Sequence, residues 1–191
     1  MSKTRLEAFT DAVIAIIMTL LVLELHAPTE ATWSALGEMG HKFIIYIISF
    51  ATLAIYWNNH HHLFQLVHKI DGRVLWANNL FILSLSLFPL VTAWVGDFLD
   101  SWPAQATYGI VILLANTTYY LLARHLLTIH GKDSKLGIAF RDFRKSYVSM
   151  GLMLIGLLFG WLVNPVLVLG ANIIILLMWI IPERKIEKQY K

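Results

Sequence analysis

The chain has 191 residues, of which 58% are hydrophobic and only 14% charged, and its mean hydropathy is +0.64. That balance excludes an ordinary soluble domain, and the lack of cysteine excludes both a disulfide framework and a thiolate metal site. A net charge of +3 does not point to nucleic acid, because the cations are not gathered on one soluble face.

Six apolar segments, each roughly 20 residues long, suffice to cross a bilayer at 1.5 Å rise per residue. They lie near residues 5–25, 43–67, 73–95, 104–124, 146–163 and 166–181. The first opens RLEAFTDAVIAIIMTLLVLEL. It is too long for a signal peptide, encloses Asp11 and lacks a small-residue cleavage site, so it is expected to remain. Ala27-Pro28-Thr29 ends it. The second contains AIYWNNHHHLFQLVH and turns at Asp71-Gly72 into the third, which ends between Asp97 and Pro103. A polar stretch from His125 to Lys145 follows the fourth, and Asn164-Pro165 makes a tight turn between the last two. The expected fold is an all-α integral membrane protein, one transmembrane domain over residues 1–191.

Charge placement sets the expected orientation. With six spans, the N-terminus (Lys3, Arg5), the second turn (Lys69, Arg73), the 125–145 stretch (Arg124, Lys132, Lys135, Arg141, Arg144, Lys145) and the C-terminus (Arg184, Lys185, Lys188, Lys191) share one side. Of the 15 Lys and Arg, Lys42 alone lies opposite. The excess of cations on cytoplasmic loops makes both termini cytoplasmic, and Trp33, Trp94, Trp102 and Trp161 fall near outer helix ends as an aromatic belt requires.

That topology gives the polar residues a depth. Asp11, His60, His61, His62, Asn78, Asn79 and Asn116 all sit roughly 8–14 Å from the cytoplasmic boundary. A carboxylate in hydrocarbon costs a few kcal/mol or more, so Asp11 marks a packing or functional site. The shared layer reads either as an interhelical hydrogen-bond network or as a proton relay or ion site. Consecutive helical residues point about 100° apart, so the three histidines cannot share one metal ion, and no metal site is expected. One or two of them are expected to donate to Asp11 or to a backbone carbonyl. No HExxH, GxSxG or phosphate-binding glycine loop occurs, so no enzyme is expected. Thr107-Tyr108-Gly109 lacks the preceding Val-Gly and the re-entrant context of a potassium filter.

On the first helix, Ile16, Leu20 and Leu23 share one face at i, i+4, i+7, flanked by Thr19, while Asp11 points about 140° away from Ile16. Such a stripe suits lipid or packing. Gathered at a symmetry axis, it would instead line a hydrophobic constriction that controls permeation by diameter and dewetting.

RLEAFTD resembles the R-x-x-x-F-S-D signature of the transmembrane protein 175 family, through Arg5, Phe9 and Asp11, with Thr10 replacing the usual serine. The run AVIAIIMTLLVLEL, YWNNHHHLF in the second helix and the Asn79-Leu80 and Phe88-Pro89 pairs extend the resemblance over the first three helices. It implies a potassium-selective channel without a P-loop filter, its pore lined by the first helix. Ile16, Leu20 and Leu23 would be the constriction and Thr19 a hydroxyl layer linked to selectivity. Arg5, Phe9, Thr10, Asp11, His60, His61, His62 and Asn79 would form the network that holds the helix in place. One repeat is present, so the resemblance implies a homotetramer around a central pore, and one helix per chain cannot enclose a pore alone. The implied partners are further copies, membrane lipid and permeant potassium ions, with no cofactor and no nucleic acid, in a bacterial plasma membrane. The rival reading is a proton-coupled secondary transporter using Asp11 and a second-helix histidine, although broken helices and internal repeats are not evident.

Overall fold

The computed structural model describes residues 2–139 and 143–180. Among the described residues the chain forms α1 (Lys3–Leu23), α2 (Trp33–Glu38), α3 (Gly40–Gln65), α4 (Gly72–Ser86), α5 (Phe88–Asp97), α6 (Trp102–His130), α7 (Lys135–Ala139), α8 (Arg144–Leu162) and α9 (Leu167–Ile180). Five stretches are long and apolar enough to cross a membrane: α1, α3, α4 with α5, α6 and α8. The apolar α9 has 14 described residues, short of a full crossing. The basic residues Arg141, Arg184, Lys185, Lys188 and Lys191 lie outside the described residues.

Two expectations about the elements change, and one short helix is added. The third span is not one continuous helix over 73–95: it breaks at Leu87 into α4 and α5, because Pro89 has no N–H to continue the ladder. The fourth does not end at residue 124 but runs to His130, where Gly131 adopts φ +84 and lets the chain leave. The loop before α3 contains the short α2, whose first turn is capped by the Thr32 hydroxyl accepting from Ala35 N–H.

The extension of α6 has a cause in tertiary bonding. His130 Nδ1 donates to Leu126 O at 2.8 Å, which leaves Nε2 to accept from the backbone N–H groups of His68 and Lys69 at 3.0 and 3.2 Å. One turn earlier, His125 Nε2 lies 3.3 Å from Asp71 Oδ2. The end of α6 thus clasps the α3–α4 turn. At the opposite end of the bundle Lys42 pairs with Asp97, and His41 Nε2 donates to Gly96 O at 3.1 Å.

α6 is the central helix, packed against α4, α5, α8 and α9. Tyr56, Phe81, Phe88 and Tyr108 stack edge to face along its contact with α3 to α5, at centroid separations of 5.9 to 6.4 Å. Gly109 brings α8 and α9 close, since a Cβ there would come within 2.8 Å of Val168 and 2.9 Å of Leu157. Tyr108 and Gly109 are therefore packed core, and Thr107 beside them bonds back to Pro103 O within the helix.

Candidate functional site

The first helix has two faces of unlike character. Leu6, Thr10, Ile14, Ile17 and Leu21 are buried against α3, α4 and α5. Within that face a short polar chain forms near the end that carries the N-terminus. Asn78 Nδ2 donates to Thr10 Oγ1 at 2.8 Å, and Thr10 Oγ1 donates to Leu6 O at 2.9 Å. The Asn78 amide oxygen then accepts from His60 Nε2 at 2.8 Å. His60 stacks between Phe64 and Phe81 at 4.3 and 5.8 Å, which fixes its ring plane. Every donor in this chain points one way, from α3 through α4 to an α1 carbonyl. No polar atom in it is wasted, as burial demands.

Asp11 lies beside this chain, half-buried, and its Oδ1 accepts from Trp57 Nε1 at 2.9 Å. The expectation that one or two histidines donate to Asp11 or to a backbone carbonyl is corrected for Asp11 and His60: the Trp57 indole donates to Asp11, and His60 donates to the Asn78 amide. His61 stacks on Trp57 at 5.9 Å and bonds Gln65 at 2.7 Å, while His62 is exposed.

The other face of α1 is bare in the protomer. Ile16, Leu20 and Leu23 are 58%, 42% and 69% exposed. Thr19 is exposed beside them, and its hydroxyl hydrogen donates to Ile16 O at 2.8 Å, so the oxygen lone pairs are what it presents outward. Arg5 and Phe9 are exposed on this same face, about 120° or more from Asp11 by helical count. The structure therefore brings Thr10, Asp11 and His60 together with Asn78 and Trp57. It does not bring Arg5, Phe9, His62 or the exposed Asn79 into that network within one protomer. Ala8, Ala12 and Ala15, all exposed, flank the stripe and give α1 a narrow profile on one side. Among the described residues no group of three or more His, Asp or Glu side chains is placed to hold a metal ion.

Sequence reading missed Trp57, and of the two asparagines it placed at this depth only Asn78 joins the network within one protomer. The signal for Trp57 was present, an indole donor on the adjacent helix at the depth of a lone carboxylate. Neighbouring asparagines at one depth differ only by helix rotation, which depth counting does not see.

The class these features define is an all-helical, multi-pass membrane protein with one helix anchored by a polar chain on one side and bare on the other. The family model described as endosomal/lysosomal potassium channel TMEM175 matches residues 5–89. A potassium channel of Chryseobacterium sp. (strain P1-3) is 40% identical over 191 residues, covering 100% of this chain and 99% of that protein. The bovine endosomal/lysosomal proton channel TMEM175 is 34% identical over 102 residues, 47% of this chain and 21% of that one. In fold, the chain is similar to the crystal structure of a lysosomal potassium-selective channel TMEM175 homolog from Chamaesiphon minutus. Its TM-score is 0.74 at 24% identity, covering 93% of this chain and 96% of that one. The chain belongs to the TMEM175 family.

Proposed function

We propose that the chain is the subunit of a potassium-selective channel in a bacterial plasma membrane, four copies of which place α1 around a central axis. The observation that carries this reading is the division of α1. Its buried face is anchored by the Thr10–Asn78–His60 chain, while Ile16, Leu20 and Leu23 stand bare in a row. An apolar stripe on a helix tied down from behind is suited to a constriction whose width is fixed by packing. The full-length likeness to a bacterial protein named as a potassium channel supports potassium as the permeant ion. Thr19 would offer oxygen lone pairs to a partly dehydrated cation, because its hydrogen is held by Ile16 O. Arg5 and Phe9, on the same face, would stand at the mouth of the pore on the side of the termini, which the charge distribution makes cytoplasmic.

The test is recording from purified protein in planar bilayers under a potassium/sodium gradient. Single-channel currents reversing near the potassium potential are expected; proton-driven uptake without such currents would instead identify a transporter. Ile16→Asn should wet the constriction, raising conductance and lowering potassium preference. Thr19→Ala should erode potassium preference more than it changes total current. Unaltered currents after replacing all three apolar layers would remove α1 from the pore.

A further inference from the structure

Near the basic end of the bundle, α6 and α8 are joined by a row of three side chains. Arg124 Nη1 donates to Tyr120 OH at 3.2 Å, and that hydroxyl lies 2.7 Å from Tyr147 OH. Phe143 holds the Tyr120 ring edge-on at 5.0 Å. Arg124 is exposed and Tyr147 is 56% exposed, so both ends of the row are open to a ligand. The row is rich in hydrogens and poor in acceptors. Two hydroxyls that bond each other leave one hydrogen over, whichever of them donates. Among the described residues Arg124 meets no acceptor besides Tyr120 and forms no ion pair. α6, α8 and α9 contain no Asp or Glu at all.

Depth and surface specify the ligand. From Trp102 to Arg124, α6 rises roughly 33 Å, against a hydrocarbon core of about 30 Å. With Trp102 at one boundary, the guanidinium reaches the other, at the level of lipid phosphates. Lys145 Nζ, 5.4 Å from the Trp179 ring, adds a second cation on an aromatic side chain between α8 and α9. One turn along α8 from Tyr147, into the membrane, a Cβ on Gly151 would meet nothing within 4 Å. Leu154 and Leu158 continue that face, 58% and 51% exposed. Bare backbone thus lies between the polar row and an apolar stretch. We propose that the Arg124–Tyr120–Tyr147 row binds the phosphate of an anionic phospholipid, whose acyl chain runs along α8 over Gly151.

Through Tyr120, Arg124 Nη1 and the Tyr147 oxygen stand at most about 6 Å apart, so two oxygens of one phosphate can accept from both. The net charge of the lipid matters because the ammonium of a zwitterionic headgroup finds no carboxylate on these helices. α8 packs against α6 and α9, whereas α1 packs against α3, α4 and α5. With α1 at the axis of the proposed channel, α8 stands at the lipid-facing periphery. That placement rests on the channel reading above, whereas the donor row does not.

The test is photolabelling of the full chain in lipid nanodiscs with phosphatidylglycerol or phosphatidylcholine carrying a diazirine on the acyl chain. Adducts on the peptide holding Gly151 and Leu154 are expected about tenfold more with phosphatidylglycerol, the size of one hydrogen bond to a charged group. Arg124→Gln should lower that labelling to the level of phosphatidylcholine, and Tyr147→Phe, which keeps the ring, should lower it about threefold. Equal labelling by both lipids, or undiminished labelling of Arg124→Gln, overturns the site. Should Arg124→Gln fail to fold, competition on the wild type decides: unlabelled phosphatidylglycerol displaces the label and phosphatidylcholine does not, and displacement by both overturns the site. Displacement by glycerol 3-phosphate at equal concentration would overturn a lipid as the source of the phosphate. Benzoylphenylalanine in place of Leu154 reports what covers the face. Crosslinked lipid is expected, and crosslinked dimers of the chain would make the face a subunit contact and overturn the proposal. Labelling as expected without any current in planar bilayers separates failure of the channel reading from failure of the site.

Discussion

Two of the polar networks buried among the described residues contrast, and of the two only one reaches α1. Thr10, Asn78 and His60 form an unbranched chain across α1, α4 and α3, ending on the Leu6 carbonyl. The other centres on the Tyr108 hydroxyl of α6. That hydroxyl meets Ser49 Oγ at 3.0 Å and the Asn172 amide at 3.2 Å, and Thr92 donates to Ser49 at 2.8 Å. It joins α3, α5, α6 and α9. The contrast teaches that scaffold and α1 are held by separate polar devices. The hub around Tyr108 unites the helices among themselves, whereas α1 is tied to them by one short chain, the Asp11–Trp57 pair and apolar burial.

Cutting the chain should have the largest effect. Asn78→Leu removes the acceptor of His60 and the donor to Thr10, leaving a ring N–H buried and unpaired, at about 1–3 kcal/mol per subunit. A lower melting temperature together with altered conduction is expected, read by thermal melts in detergent and by bilayer recording. A melting change with normal currents would mean that the chain is scaffold like the other.

The converse experiment is Tyr108→Phe. It deletes the hub hydroxyl while preserving the edge-to-face contact with Phe88. Stability should fall by about 1–2 kcal/mol, with the potassium-to-sodium preference retained. Loss of selectivity would join the two networks into one device and end the comparison.

Asp11→Ala comes next. Trp57 is partly exposed, so its freed indole finds other acceptors, and the expected loss is about 1 kcal/mol per subunit. Dissociation of the proposed tetramer on native gels is the expected readout. A stable assembly with changed ion preference would place the carboxylate in the pore instead.

Long apolar runs bounded by Pro, Gly and Asp made the spanning helices legible, and the i, i+4, i+7 spacing made the bare face of α1 legible. Pro89 marks the kink at Leu87, yet the run around it, broken only by Ser84, Ser86 and Thr92, is apolar enough to read as one span. The last turn of α6 was not readable: His125 and His130 look like loop residues until Asp71 and the His68 and Lys69 amides meet them. Within one protomer Arg5 stands outside the network for a related reason. A shared motif suggests shared contacts, yet Arg5 and Asp11 are six residues apart on a helix and face different ways.

The smallest expected effect concerns Asp71, which stands outside the membrane where the α3–α4 turn meets α6. Its Oδ1 accepts from Val74 N–H at 2.8 Å as the N-cap of α4, and its Oδ2 faces His125. The Val74 hydrogen bond chiefly, with His125 adding to it, holds this carboxyl below its ordinary value of 3.8. A carboxyl whose value is lowered on folding stabilises the fold above its unfolded value and loses that contribution as pH falls through the folded one. The window is therefore acidic, from about pH 5 downward. Asp71→Asn keeps a capping oxygen, so it should melt close to wild type at neutral pH. Within that window, melts of the wild type should fall with pH more steeply than those of the variant. Identical slopes would show that the charge on Asp71 adds nothing to its cap and that the His130 clasp holds the turn without it.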